Sequence, residues 1–427
     1  MLDALSALWL RGLTHVRAPG SGDLKAARQQ ISASRLHEVA ACASTGTGKR
    51  LLGIIPTLEI GGAERQMCLA MKALDMKGYV LGLACFNLVG PFVAHLPRNL
   101  LLYDLVKRTR WSAPLLVYRL RSILREFKPD ILLMSSEYAA LIAWLACISW
   151  AGRPSLVLRK ECPVSRSRSN EKMRSVKLII DRLVLRRMDA IIAPSQGIAE
   201  ELRGHGLIPR GMLVVIPNAV DSELTSDPIA GTGEMASGPG RRVLVGIGRF
   251  IPMKGFDILV RAVSLLPRDS FELRLIGDGP ERPRLEALVK VLGLQDHVRF
   301  FGLREDPIPM LKGTWVGIVP SAYEGFGNVI VELFSLGVPV IAFDVEHGPR
   351  ELIRNGENGM LVRERSEWAL AEVILSICED PGRRNRLGVC ARSDVLMKYS
   401  LTLAADLYDN CFAELRRCSS SNNQAAN

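Results

Sequence analysis

The segment Ser321–Glu332, SAYEGFGNVIVE, places two carboxylates around a glycine-rich turn. An apolar, strand-like run ends at Pro320, Glu324 falls in the turn, and Glu332 lies on the helix that the pattern predicts next. Glu324 is placed to accept hydrogen bonds from hydroxyls near the helix N-terminus, and Glu332 to take a vicinal diol with both oxygens. Charge-assisted bonds of this kind contribute about 1.5–3 kcal/mol each. Between them, the backbone N–H groups of Gly325, Phe326, Gly327 and Asn328, with the helix dipole, form an anion site. A sugar hydroxyl, a phosphate and a ribose diol would suit adjacent parts of this one loop. Taken alone, the pair has a second, weaker reading: an N-terminal Glu favouring the dipole and a solvated helix Glu.

Two cations complement it. Gly248-Arg249 closes one apolar run and Lys254-Gly255 opens the following helix, so two positive charges stand at a strand C-terminus. Each is worth roughly 4 kcal/mol against a phosphate charge at about 4 Å and an effective dielectric of about 20. Such a pair can stabilise a departing diphosphate as an electrophilic clamp without a metal. Gly277-Asp278-Gly279-Pro280 follows another strand end, and Phe301-Gly302-Leu303-Arg304 the next, where the main chain could hold a base. Either is also ordinary turn chemistry.

The elements that must position these residues alternate. From Arg50, short apolar strands and amphipathic helices succeed one another, which argues for a parallel sheet covered on both faces. The stretch 224–241 is rich in glycine and proline and reads as a linker. A second alternating block follows at once. The expected organisation is a loosely packed leader (1–48), a first Rossmann-like domain (49–223), the linker (224–241) and a second Rossmann-like domain (242–396). A helix (397–418) then crosses back to the first domain, and a flexible tail (419–427) ends the chain. Two doubly wound α/β domains facing across a cleft would place a ligand there, against the strand C-termini.

Composition narrows the partners. Of 427 residues, 48% are hydrophobic and 23% charged, and the net charge is +11, which suits an anionic partner. Aromatics are 6% of the chain, and no basic stretch interleaves with them to stack on bases, so nucleic acid is not expected. The nine cysteines lie far apart with no CxxC pair, which indicates neither a zinc site nor a disulfide framework. GTGKR, ending at Arg50, lacks the first glycine and the Ser/Thr of a phosphate loop and precedes a strand. No secretory signal is expected at Leu5–Leu10, and Ile131–Ala151 reads as a strand, a loop and a buried helix in place of a membrane span.

The ordered set of motifs resembles the retaining, GT-B-fold glycosyltransferases of the group 1 type (family four). The matching pieces are GGAER (Gly61–Arg65), PNAVD (Pro217–Asp221), GRFIPMKGFD (Gly248–Asp257), IGDGPER (Ile276–Arg282), PSAYEGFGNVIVE (Pro320–Glu332) and NGENGMLV (Asn355–Val362). The resemblance runs from about Arg50 to Arg417. It implies that Arg249 and Lys254 bind the donor diphosphate, Glu324 the donor-sugar hydroxyls and Glu332 the ribose. The amides of Phe326, Gly327 and Asn328 would help hold sugar and phosphate. Gly61 and Gly62 would meet the donor from the first domain, with Gly248, Gly277, Arg304 and Gly325 completing the donor set. The family uses no metal and no cofactor, and no Asp-x-Asp pair occurs in the chain to hold a divalent ion.

Many members carry a histidine after the strand that follows a Pro-Asp element. Here Pro129-Asp130-Ile131-Leu132-Leu133-Met134 leads to Ser135-Ser136-Glu137, without one. Ser136 and Glu137 are the candidates for that place, and Arg159 and Glu161, after the next strand, are the other polar candidates on the acceptor side. FDVEHGPRE (Phe343–Glu351) resembles the members that extend bacterial surface polysaccharides and lipid-linked oligosaccharides, often from UDP-sugars. The implied reaction moves a hexose or N-acetylhexosamine from a nucleotide-diphosphate sugar to a lipid-linked or polysaccharide acceptor.

Positive charge gathers around two first-domain helices: Arg108, Arg110, Arg119, Arg121 and Arg125 on one, Arg166, Arg168, Lys172, Arg174, Lys177, Arg182, Arg186 and Arg187 on the other. Basic amphipathic helices suit an anionic membrane surface, at about 1 kcal/mol per basic side chain, and the expected place is cytoplasmic, peripheral at the inner leaflet. A nucleotide-sugar 2-epimerase and a non-catalytic membrane scaffold remain alternative readings. The first would interconvert sugars without acceptor. The second has no physical need for Arg249, Lys254, Glu324 and Glu332 together.

Overall fold

The computed structural model describes residues 49–107, 109, 112–148, 150, 152–161, 180–209, 211–221, 241–311 and 313–424, with side chains as far as Arg417. The leader, the linker up to residue 240, Arg108, Arg110, Trp111, Arg166, Arg168, Lys172, Arg174 and Lys177 lie outside the described residues.

The described residues form two compact units. One holds the chain to Pro194, Ile198–Ile216 and the part from Ala404; the other holds Ser195–Gly197 and Pro217–Leu403. In the first unit run β1 (Arg50–Ile55), α1 (Gly62–Asp75), β2 (Val80–Cys85), β3 (Leu101–Asp104), α2 (Ala113–Phe127), β4 (Ile131–Met134), α3 (Glu137–Cys147), β5 (Ser155–Arg159), β6 (Ala190–Ala193), α4 (Gln196–Gly204) and β7 (Met212–Val215). The strands make one seven-stranded sheet, β3-β2-β1-β4-β5-β6-β7, parallel throughout. The second unit has β8 (Arg242–Ile247), α5 (Phe256–Ser264), β9 (Phe271–Ile276), α6 (Arg282–Val291), β10 (Val298–Gly302), β11 (Thr314–Val319), α7 (Asn328–Ser335), β12 (Val340–Phe343), α8 (Pro349–Leu352), β13 (Gly359–Val362), α9 (Glu367–Cys378) and α10 (Pro381–Lys398). Its six-stranded sheet, β10-β9-β8-β11-β12-β13, is also parallel. Both are doubly wound Rossmann-like units, the α/β class read from the sequence.

The period-2 alternation of buried strands builds each core. Leu244, Ile318 and Ile341 enter the core under α5 and α9, while Val245, Val319, Val340 and Ala342 enter the one under α7 and α10. In the first sheet Leu52, Ile54, Leu132, Leu156 and Leu158 face the core shared with α2 and α3. Ile131–Ala151 is β4 followed by α3, and no helix among the described residues is long and apolar enough to cross a membrane.

The C-terminal helix α11 (Leu401–Gln424) joins the first unit. Asp409 accepts from Lys49 Nζ at 2.6 Å and from the Tyr79 hydroxyl at 2.7 Å, and Asp406 pairs with Lys77. Three expectations change here. The second unit runs to Leu403, beyond 396, because α10 continues to Lys398 and Ser400 bridges to Val220. Residues 419–424, expected as a flexible tail, continue α11, since neither glycine nor proline interrupts it after Leu401. The sequence pattern reads as a helix over Trp111–Phe127; among the described residues it begins at Ala113, with Pro114 in its first turn.

Candidate functional site

Strand order in the second sheet reverses between β8 and β11, and a doubly wound sheet opens a crevice at the C-terminal ends of such a pair. The loops leaving these two strands carry the candidate residues. After β8, a 3₁₀ turn over Pro252–Lys254 ends on Gly255 at φ 66°. The absent side chain lets this turn lie on the other loop: a Cβ at Gly255 would sit 2.2 Å from the Pro320 carbonyl oxygen. Ala322 N donates to Met253 O at 2.9 Å, so the loops are joined main chain to main chain.

That junction sets the side chains. Lys254 Nζ donates to Glu324 Oε1 at 2.5 Å, and Ser321 Oγ donates to the same oxygen at 2.6 Å. Ser321 is 2% exposed, and the Lys254 and Glu324 side chains 20% and 14%. Oε1 is therefore filled twice, whereas Oε2 takes no hydrogen bond among the described residues. Arg249 is exposed, and no carboxylate among the described residues pairs with it. The loop after β8 thus carries two positive charges, the exposed guanidinium of Arg249 and the Lys254 ammonium shared with Glu324.

Gly327, at φ 102°, precedes α7 and directs its N-terminus to the same loop. Asn328 Oδ1 accepts from the buried Asn218 Nδ2 at 2.5 Å, and Gly325 O accepts from Ser195 Oγ at 3.1 Å. Phe326 is 6% exposed, with its ring edge-on to Tyr399 at 5.7 Å, so its side chain belongs to the core and only its main chain can meet a ligand. Glu332 is half-buried on the second turn of α7. A Cβ at Gly277 (φ 142°) would lie 1.9 Å from Gly248 O, so these two glycines bring the loops after β8 and β9 into backbone contact. Arg304 is exposed, and its Nε donates to Phe301 O at 3.0 Å, bracing its own turn.

The remaining candidates lie in the first unit and form a separate group. Gly61 caps α1 in extended conformation, and the Glu64 carboxylate folds back against it. Burial, aided by Glu161 and Glu59, pushes the Glu64 carboxyl up. Ser136 is a helix cap: its Oγ accepts from Ala139 N at 3.2 Å. Glu137 is ion-paired with Lys160, which is itself buried. Arg159 lies on the opposite sheet face from Leu158, 2% exposed, donating to Glu161 and to the Tyr408 hydroxyl of α11. These residues hold the unit together at the C-terminal ends of β4 and β5. Two of the basic residues expected on the surface are also occupied. Arg119 donates to the Leu105 and Val106 carbonyls, and Arg121 to those of Leu145, Ala146 and Ile148 at the end of α3.

Ser321, Gly255 and Asn218 were not singled out as functional from the sequence, although all three lie within or beside quoted segments. The readable signal for Ser321 is a hydroxyl three positions before a turn carboxylate, directly after the strand-ending Pro320. Among the described residues no group of three His, Cys, Asp or Glu side chains is placed to hold a metal ion.

Residues 60–224 match the Glycosyltransferase Family 4 profile, and residues 234–394 that of Glycosyl transferases group 1. The chain is 33% identical over 223 residues to the lipopolysaccharide core biosynthesis glycosyltransferase LpsE of Rhizobium meliloti (strain 1021), a match covering 52% of this chain and 64% of that protein. It is 27% identical over 354 residues to LpsD of the same organism, covering 82% and 95%. Among solved structures, sucrose-phosphate synthase from Thermosynechococcus elongatus is similar with a TM-score of 0.74 and 22% identity, over 87% of this chain and 100% of that one. Anabaena HepE in complex with UDP and glucose is similar at 0.71 and 22%, over 85% and 99%.

Proposed function

The chain belongs to the group 1 glycosyltransferases, with a family 4 first module, and on that premise we propose that it transfers a hexose or N-acetylhexosamine from a UDP-sugar, with retention, to a lipid-linked or polysaccharide acceptor. The observation that carries the proposal is the Lys254–Glu324–Ser321 group at the switch point of the second sheet, on whose first loop the exposed Arg249 also lies. The diphosphate of the donor lies against Arg249, Lys254 and the α7 N-terminus, which take up the charge that grows as the glycosidic bond breaks. Glu324 accepts from sugar hydroxyls through Oε2, and Glu332 from the ribose. Departure and attack on one face of the sugar retain the anomeric configuration without an enzymic nucleophile. These cations supply the electrophilic help themselves, so the proposed reaction uses no metal and no cofactor. Relatives acting in lipopolysaccharide core biosynthesis support a surface-glycan acceptor.

The test is a screen for release of free nucleotide from UDP-, GDP- and ADP-sugars, with and without a lipid-diphosphate acceptor. Acceptor-dependent release from a UDP-sugar is expected. Interconversion of UDP-N-acetylglucosamine without acceptor would make the protein an epimerase, and the absence of any nucleotide-dependent thermal shift would make it a scaffold.

The proposal places the first unit at the inner leaflet of the membrane. Support comes from the exposed Arg125, Arg182, Arg186 and Arg187 and from the exposed apolar side chains Leu115, Tyr118, Ile148 and Leu183, all in the first unit. Flotation with anionic vesicles at low and high salt tests it, and the absence of binding at low salt would remove it.

A further inference from the structure

The turn that carries Glu324 is backed by residues distant from it in sequence. Gly348 has φ 74°, left-handed backbone that glycine adopts without strain, and Pro349 opens the single turn of α8 behind it. This bend lays Gly348 on the Glu324 turn: a Cβ there would lie 2.5 Å from Phe326 O and 3.0 Å from Glu324 Cβ. His347, one residue earlier, meets the Tyr323 ring edge to face at 5.7 Å. Glu351 N and Leu352 N both donate to Gly348 O at 3.0 Å, so the place of Glu351 is tied to the same bend.

Both carboxylate oxygens of Glu351 are taken by consecutive amides. Oε2 accepts from Gln196 N and Oε1 from Gly197 N, each at 2.9 Å. These N–H groups open α4 and have no acceptor within their own helix, so a carboxylate suits them in both geometry and charge. Gly197 has no side chain to spare, since a Cβ on it would lie 2.2 Å from His347 Nδ1. Ser195–Gly197 and Glu351 belong to the same unit. From that anchor Ser195, 2% exposed, reaches the Glu324 turn, its Oγ donating to Gly325 O at 3.1 Å. A trans peptide is planar and its N–H points opposite its C=O, so a fixed Gly325 O aims the Phe326 N–H away from Ser195. Gly348 limits the following peptide in the same way, through Phe326 O.

We propose that Glu351 is a positioning residue for the donor sugar: by anchoring Ser195–Gly197 it fixes the Gly325 and Phe326 peptides, and with them the orientation in which Glu324 and the Phe326 amide meet the sugar. The inference rests on the glycosyltransferase reading and deepens it, because it gives Glu351 a part in the reaction that is exercised through Ser195.

The experiment is a set of calorimetric titrations of the full chain with UDP, UDP-glucose and UDP-N-acetylglucosamine. Glu351→Gln keeps the size of the side chain but sets an N–H group against one of the two amides. It is expected to bind the UDP-sugars about tenfold more weakly, the effect of losing one charge-assisted bond, and to bind UDP as the wild type does. Ser195→Ala is expected to behave alike, and the double variant to be no weaker than either single one, because both act through Gly325 O. Equal weakening toward UDP and the UDP-sugars would make Glu351 a structural residue and overturn the proposal. Unchanged sugar affinity in Glu351→Gln, or losses that multiply in the double variant, would overturn it too. A wild-type protein that binds UDP but neither sugar, or none of the three, removes the UDP-sugar reading and the inference with it. Sugar binding by the wild type with an unaffected variant removes the Glu351 assignment alone, so the two failures are distinguishable.

Discussion

Lys254 Nζ and Glu324 Oε1 meet at 2.5 Å although 70 positions separate them in the chain. The contact exists because β8 and β11 are sheet neighbours and Gly255 lets one loop rest on the Pro320 carbonyl of the other. The lysine and the carboxylate hold each other in place. A donor diphosphate would share the ammonium without requiring the carboxylate to move.

Lys254→Ala should lower kcat about 10²–10³-fold, the usual cost of removing one preorganised electrostatic group at a developing charge. Glu324→Gln keeps the shape but loses the charge that fixes Lys254, and should lose activity comparably. Both proteins should retain the wild-type circular dichroism spectrum. Wild-type turnover in Lys254→Ala would remove the clamp from the mechanism.

Ser321→Ala tests whether filling Oε1 twice matters. The hydroxyl is buried and donates to a carboxylate, a bond contributing about 1.5–3 kcal/mol. Without it Glu324 can rotate about its remaining bond to Lys254. Steady-state kinetics should show a fall of about tenfold in kcat with the larger share in kcat over KM for the sugar half of the donor, and UDP itself should bind as before. An equal loss in UDP affinity would point to a collapsed loop.

Gly277→Ala should damage both fold and site. The new methyl would meet Gly248 O at 1.9 Å, main chain against main chain, at a φ of 142°. Backbone strain alone costs on the order of 1–3 kcal/mol, and the loop carrying Arg249 would have to shift. Calorimetry should show a lower melting temperature together with weaker UDP binding; a stable protein with normal UDP affinity would contradict the backbone contact.

Much of this arrangement is legible before any coordinates. Arg242–Ile247 and Gly359–Val362 are apolar runs bounded by charge or glycine, and both strands form over those residues. β3 escapes notice because it is an edge strand of three half-buried residues and one exposed one, with no alternation to read. α9 is apolar on nearly every side, and α10 is arginine-rich with its buried Leu387, Ala391 and Val395 diluted among charges, so neither shows a clear stripe. Arg159 reads as a polar group at a strand end, yet the pleat turns it away from Leu158 and onto the face that α11 covers. Ser321 and Asn218 act through partners that only the folded chain supplies.

Tyr408→Phe examines the buried anchor of the terminal helix. Burial disfavours the Arg159 charge, but Glu161 and Tyr408 outweigh it and keep the guanidinium protonated. Removing the hydroxyl leaves a fully buried charged group one partner short, at about 1.5–3 kcal/mol. Amides of α11 should exchange hydrogen faster, by about tenfold or more at the stated energy, while those of α5 and α9 keep their rates. Uniform acceleration in both units would mean that the anchor does not act locally.

The clamp between α11 and the start of β1 should also be acid-sensitive. Lys49 and Tyr79 bond the Asp409 carboxylate and hold its pKa below the ordinary value of 3.8. A carboxyl depressed on folding adds stability that is fully present above its unfolded pKa and is lost as pH falls through the folded one. Asp409→Asn removes that contribution at every pH. At neutral pH the variant should therefore melt below the wild type, and the gap should close as pH drops below about 4. Melting curves followed through α11 exchange or calorimetry read this directly, and a gap that stays constant from neutral pH to about pH 3 would show that the Asp409 charge contributes nothing to holding the helix.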